Sequence, residues 1–304
     1  MTAERLLAQA IEATNAGDYR QAAESFERAA ALAAAPDDAA AAFESAARLH
    51  IMLRDLDRAA ALVERADATA PGSPRLLRVR AELADGVGDV HARVAAWQAV
   101  AERGLAEHRV HALTQLGYLA RELGDHAAAA TRFAAAVDHG GPVDPWLARE
   151  LGLEIVIALT EAGDHHGATA RLDALEAGLP RDDRGLAGRV LGQRGVLAMA
   201  RGDHARALDY AERARAAAVG RDDVMTYLAA STLIAGLHEA AGRLVEAYDT
   251  YVRARESLAD LLGDQGRAMV APAIQLFEER LGAPRFEEIW TAWVRRRRGA
   301  EPGA

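Results

Sequence analysis

One short pattern constrains this chain more than any other: Gly17-Asp18-Tyr19, Arg54-Asp55-Leu56, Gly88-Asp89-Val90, Gly124-Asp125-His126, Gly163-Asp164-His165, Gly202-Asp203-His204 and Gly242-Arg243-Leu244. The intervals between successive turns are 37, 34, 36, 39, 39 and 40 residues. Length alone, 304 residues, suggests two globular domains. A period of this size instead specifies a repeat architecture in which each unit buries its apolar face against the next.

Each turn residue lies between two amphipathic stretches. A glycine accepts the positive φ that ends one helix, and the following aspartate caps the next with its side-chain oxygen. Five residues after the turn stand Ala22, Ala59, Ala129, Ala168, Ala207 and Ala247. Nine after it the side chains are larger, as in Phe26, Val63, Trp97, Phe133, Leu172 and Tyr251, with Ala211 as the exception. Seven before it stand Ala10, Ala47, Ala81, Gly117, Gly195 and Ala235, with Val156 as the outlier. Small residues at fixed offsets predict close backbone approach between paired helices. Gly117 and Gly195 each cost about 1 kcal/mol in a free helix, so packing is their expected purpose. Alanine supplies about a quarter of the chain and aromatic residues only 5%. That composition favours an all-helical fold over strands.

The fourth repeat carries the fullest pattern: Leu113, Leu116-Gly117 and Tyr118, then Gly124, Ala129, Phe133 and Ala136. In these residues the chain resembles the tetratricopeptide repeat family, and Pro71 matches the proline that closes a repeat there. The resemblance implies antiparallel helix pairs stacked in a right-handed superhelical solenoid. Seven pairs are expected, at 3–34, 37–70, 73–104, 107–139, 144–178, 183–218 and 222–262. Arg54, Val156 and Ala211 depart from the family pattern. The expected domains are therefore residues 1–262, the seven-repeat region, and 263–304, a pair of capping helices with a short basic tail. Helical patterns over Ala268–Leu281 and Pro284–Arg298 supply the cap, and the last six residues are expected to fray. The segment from Phe277 to Trp290 also resembles, over fewer than thirty residues, the tail of helical-repeat regions in large bacterial signalling ATPases and transcription regulators.

Composition excludes several chemistries. There is no cysteine, so disulfides, thiolate catalysis and thiolate metal sites are absent. All 36 basic residues are arginine, which removes lysine Schiff bases and the lysine of a phosphate loop. A net charge of −9 argues against a nucleic-acid surface. No secretory leader and no membrane-spanning apolar run is present, so the expected location is cytoplasmic. His126, His165 and His204 recur one repeat apart, roughly 10 Å in a stack, too far for one ion to gather all three. No paired histidines with an intervening glutamate and no nucleophile elbow accompany them. The expectation is a non-enzymatic protein with no catalytic residue, cofactor or metal.

Binding is the better-supported class. The resemblance implies that the first helix of each repeat lines the concave side, and the groove positions counted back from the turns include Arg75, Arg78, His111, Tyr118, Arg121, Leu153, Ile157, Arg189 and Met199. Arginines there suit the carboxylate groups of an acidic protein or peptide partner. The basic and asparagine residues of the family's chaperone-tail clamp are not reproduced. A second candidate partner surface is Trp290, Trp293, Arg295 and Arg296 on the last helix, with packing of the tryptophans into the cap as the competing reading. The expected function is a scaffold or adaptor that binds a protein or peptide on the concave face. The alternative is a ligand- or peptide-responsive regulatory sensor that changes superhelical curvature. Homo-oligomerisation is left open.

Overall fold

The computed structural model describes residues 2–139, 144–179, 184–219 and 223–299. The described residues form sixteen helices and no strand. The first eight are α1 (Ala3–Asn15), α2 (Tyr19–Leu32), α3 (Pro36–Met52), α4 (Leu56–Thr69), α5 (Pro74–Val87), α6 (Val90–Arg103), α7 (Ala106–Glu122) and α8 (His126–Val137). They are followed by α9 (Pro145–Glu161), α10 (His165–Ala177), α11 (Arg184–Ala200), α12 (His204–Val219), α13 (Val224–Ala240), α14 (Leu244–Leu262), α15 (Asp264–Leu281) and α16 (Ala283–Gly299). The breaks expected at residues 140–142 and at Pro180 lie outside the described residues, as does the tail 300–304. The chain divides into two compact bodies, Met1–Leu151 and Gly152–Ala304. Among the described residues no helix is long and apolar enough to cross a membrane.

The recurring turn explains why helices pair. Gly17, Gly124, Gly163, Gly202 and Gly242 all adopt positive φ between 72° and 80°. The residue after each donates its amide N–H to a carbonyl five positions earlier, as in Asp18 to Ala13 at 2.9 Å and Asp125 to Ala120 at 2.8 Å. This bond satisfies an orphan carbonyl at the helix end. The same aspartate then caps the next helix: Asp18, Asp55, Asp125, Asp164 and Asp203 accept from the amide three residues on, at 2.9 to 3.3 Å. In the second repeat Arg54 replaces the glycine and still takes φ 62°, alone among the described non-glycine residues in doing so. In the seventh, Arg243 replaces the aspartate and provides no side-chain cap.

The small residues occupy the contacts predicted for them. Ala22, Ala59, Ala129, Ala168, Ala207 and Ala247 are fully buried, and so are Ala10, Ala47, Ala81 and Ala235. A Cβ on Gly117 would fall 2.4 to 2.7 Å from the Phe133 ring, and one on Gly195 would meet Leu233 at 3.0 Å. The third repeat has Arg93 at the small position and solves the problem ionically. Arg93 pairs with Asp85 at 3.0 Å and Glu122 at 3.0 Å, while the buried Trp97 donates its indole N–H to Asp85 at 3.0 Å.

In the C-terminal body, α15 and α16 cover the apolar side of α14. Phe277 and Ile289 join Tyr248, Tyr251 and Val252 in one cluster. Arg280 pairs with Glu239 at 2.8 Å and Arg297 with Glu256 at 2.8 Å, so charge as well as burial holds the cap. Helix α15 starts at Asp264, four residues before the predicted Ala268. Gly266 makes that earlier start possible, because α15 lies so close to α14 that a Cβ there would sit 1.9 Å from the Leu258 carbonyl oxygen. Pro284 occupies the first turn of α16, as its missing donor predicts.

Gly266→Ala is expected to destabilise the chain by roughly 2 kcal/mol, since a backbone carbonyl cannot move aside as a side chain does. Gly236→Ala, where a Cβ meets nothing within 4 Å, is expected to stabilise it by about 0.5–1 kcal/mol through helix propensity. Chemical denaturation of the two variants checks the pair; equal effects would contradict the assignment of Gly266 to close packing.

Candidate functional site

Burying one face of each first helix against its partner leaves the opposite face to carry whatever large or charged residues the repeat retains. In the N-terminal body these faces belong to α1, α3, α5 and α7. Their middle is ionic. Glu82 of α5 accepts from Arg78 at 2.8 Å and from Arg48 of α3 at 3.1 Å. Glu44 of α3 lies in the fields of Arg75, Arg48 and Arg78, yet burial outweighs them and pushes its carboxyl above the ordinary value. His108 and His111 of α7 are held below the usual imidazole range, first by burial and then by Arg78. Trp97 contributes to that burial, with its ring edge-on to His111 at 5.1 Å.

Of the sequence-predicted residues, Arg75, Arg78 and His111 are therefore brought into one electrostatic cluster. Tyr118 and Arg121 stand further along α7. Tyr118 is 42% exposed and rests edge-on against Phe133 at 5.1 Å. Beside the cluster, a cleft of about 530 Å³ runs over Ile11, Phe26, Leu49 and Met52, with Arg48 and Glu82 at its rim.

In the C-terminal body the corresponding faces of α9, α11 and α13 are mostly apolar. They enclose a pocket of about 270 Å³ lined by Leu153, Ile157, Val196, Met225 and Leu233, with Arg189, Gln193 and Thr226 as the polar residues. Leu153, Ile157 and Arg189 are thus brought together. Leu153 is 2% exposed and belongs equally to the core, where it packs in one cluster with Leu172 and Leu186. Met199 is 40% exposed and lies outside this pocket.

The predicted partner surface on α16 divides. Trp293 is half-buried in the cap, donates to Asp249 at 2.9 Å and packs edge-on to Tyr248 at 5.4 Å. Arg296 pairs with Glu246 at 3.0 Å. Trp290 is 48% exposed and Arg295 is exposed. Among the described residues no group of three or more histidine, aspartate or glutamate side chains is arranged to hold a metal ion. His126, His165 and His204 are the first residues of α8, α10 and α12.

Sequence reasoning missed Arg48, Glu44, His108, Met225 and Leu233. The signal for two of them was present. Glu44 and Arg48 stand ten and six residues before Arg54, the same offsets that place Arg78 and Glu82 before Gly88.

A tetratricopeptide repeat family model matches residues 13–83. No curated protein matches the chain. Among solved structures, the fold is similar to the apo form of RapI, at 9% identity over 96% of this chain and 85% of that one, with a TM-score of 0.66. It is similar to a Rap protein complexed with competence and sporulation factor, at 13% identity over 97% and 87% of the two chains, with a TM-score of 0.53. A tetratricopeptide repeat protein from Parabacteroides merdae ATCC 43184 shares 18% identity over 88% of this chain and 98% of that one, with a TM-score of 0.55. At these identities the likeness is one of fold.

The groove histidines set a pH dependence. A depressed folded pKa means that the unfolded chain binds more protons, so stability rises with pH through this range. Lowering the pH from 7.5 to 5.5 is expected to lower the melting temperature, and His108→Asn combined with His111→Asn is expected to flatten that slope. An unchanged slope in the double variant would contradict the burial of these imidazoles.

Proposed function

Because the chain is a tetratricopeptide repeat protein, we propose that it is a non-enzymatic scaffold holding a protein or peptide partner on the first-helix faces of its repeats. The observation that carries this reading is the pocket on α9, α11 and α13. Three residues chosen by repeat register, Leu153, Ile157 and Arg189, line the same open apolar cavity, although α9 and α11 contribute them from different repeats. An apolar recess with a few polar groups at its wall suits the side chain of a bound segment. In the N-terminal body, Arg75 and Arg78 add contacts suited to acidic groups, and the 42% exposed Tyr118 of α7 adds aromatic surface. Binding by such faces works through preorganisation. The packed helices fix many weak contacts before the partner arrives, so fewer degrees of freedom are lost on association.

Photo-cross-linking amino acids placed at Met225 on the pocket rim and at Asp209 on α12 test the assignment. Met225 is 67% exposed and the Asp209 side chain 64% exposed, so access is comparable. The partner is expected to cross-link from Met225 and not from Asp209, and Ile157→Glu is expected to reduce capture about tenfold or more, as for a buried anchor position. Cross-links from Asp209 that survive Ile157→Glu would overturn the reading.

A second reading is a sensor whose superhelical curvature responds to the ligand. It is favoured by the fold likeness to a Rap protein complexed with competence and sporulation factor. X-ray scattering of the free and saturated chain is expected to show a change in dimensions on this reading; identical curves would remove it.

A further inference from the structure

One carboxylate on the groove face of the N-terminal body already sits where a ligand group belongs. The Glu82 side chain uses both oxygens, accepting from the Arg78 Nε through Oε1 at 2.8 Å and from the Arg48 Nε through Oε2 at 3.1 Å. It thereby bridges α5 to α3. The Arg48 side chain stays 46% exposed while that of Glu82 is 21% exposed, so the guanidinium offers an open edge and the carboxylate is the shielded partner. Ion pairs with this much solvent contact hold weakly. A guanidinium recognises any carboxylate through the same planar geometry, so an incoming one held by further contacts in the cleft can take the place of Glu82.

The pair stands at the rim of the 530 Å³ cleft, whose walls include Ile11, Phe26, Leu49 and Met52. Ile11 is 55% exposed and Met52 58% exposed, and both line this cleft with their apolar side chains open to an incoming group. The surrounding charges favour an anion. Arg75, Arg48 and Arg78 all act on Glu44, whose carboxyl burial raises above its ordinary value, and Arg48 and Arg78 also hold Glu82. His108 and His111 lie near Arg78, and burial first and that charge second hold both below the ordinary imidazole range.

We propose that Glu82 is a built-in pseudo-ligand. The cleft takes a segment that presents an aliphatic or aromatic side chain next to a carboxylate. The apolar group enters between Ile11 and Met52, and the carboxylate displaces Glu82 from Arg48 and Arg78. This rests on the scaffold reading and names the chemistry of one partner class. It also gives the site a threshold, because an apolar segment without a carboxylate leaves the internal pair in place.

The test uses the full chain and an array of acetylated, amidated hexapeptides in which leucine, isoleucine or phenylalanine adjoins aspartate or glutamate, each matched by its asparagine or glutamine counterpart. By fluorescence anisotropy, the acidic peptides are expected to bind about tenfold tighter than their amide counterparts, the scale of a charge-assisted pair. Glu82→Gln is expected to tighten the acidic set by about fivefold and to leave the amide set unchanged, since it removes only the competitor. Arg48→Gln is expected to abolish the preference, and Arg48→Lys, which keeps the charge without the planar fork, to retain part of it. Ile11→Asp is expected to weaken both sets. Thermal melting of each variant verifies that it is folded.

Equal binding of acidic and amide peptides would overturn the proposal, as would weaker acidic binding by Glu82→Gln or no binding of any peptide by any folded variant. None of those results touches the Met225 cross-link in the C-terminal body. Failure of this inference and failure of the scaffold reading are therefore separately visible.

Discussion

The close approach of paired helices at residues no larger than alanine is the constraint on which the rest of the structure depends. At the position five residues beyond the turn, six of the seven repeats place a fully buried alanine. Bringing backbones this near lets a chain with few aromatic residues bury enough surface, because shallow side chains still interdigitate at interior density. The turn makes the approach repeatable. A positive-φ residue, an N–H to carbonyl bond across it and an aspartate cap satisfy the ends of both helices within three residues. Where the small residue is lost, in the third repeat, Arg93 must be held by Asp85 and Glu122 to occupy the gap.

That constraint decides where function can reside. With one stripe of every first helix committed to alanine and glycine contacts, the large and charged residues are displaced to the opposite face. The two bodies then differ in chemistry. The N-terminal body gathers arginines, glutamates and histidines around Glu82, while the C-terminal body presents an apolar pocket with Arg189 and Gln193 at its wall. The same packing rule thus yields a charged surface in one body and an apolar one in the other.

Fold was largely legible in the sequence because the repeat turns report it locally. Gly17, Gly124 and Gly202 announce helix ends by a conformation that other residues seldom adopt, and the offsets from them fix which residues are buried. Counting from the turns also selected Arg78 and His111, which share one electrostatic cluster, and Leu153, Ile157 and Arg189, which line one pocket. What stayed hidden depends on contacts between repeats. Nothing local to Gly266 signals the Leu258 carbonyl packed against it, and nothing in Glu82 alone reveals that its two oxygens are shared by arginines on separate helices. Trp293 and Arg296 illustrate the same limit. In the sequence, packing of the tryptophans into the cap and a partner surface on the last helix stand as competing readings, and the structure ties Trp293 to Asp249 and Arg296 to Glu246 of α14.

The central claim is that recognition belongs to the first-helix faces and that the second helices and the cap serve as support. A crystal structure of the chain determined with co-purifying material retained tests this most directly. The account predicts bound polypeptide density against Ile157 and Val196, or along the cleft between Ile11 and Met52, with the outer faces of α4, α10 and α12 bare. Density seated on those second helices or on Trp290, with both first-helix clefts empty, would contradict it.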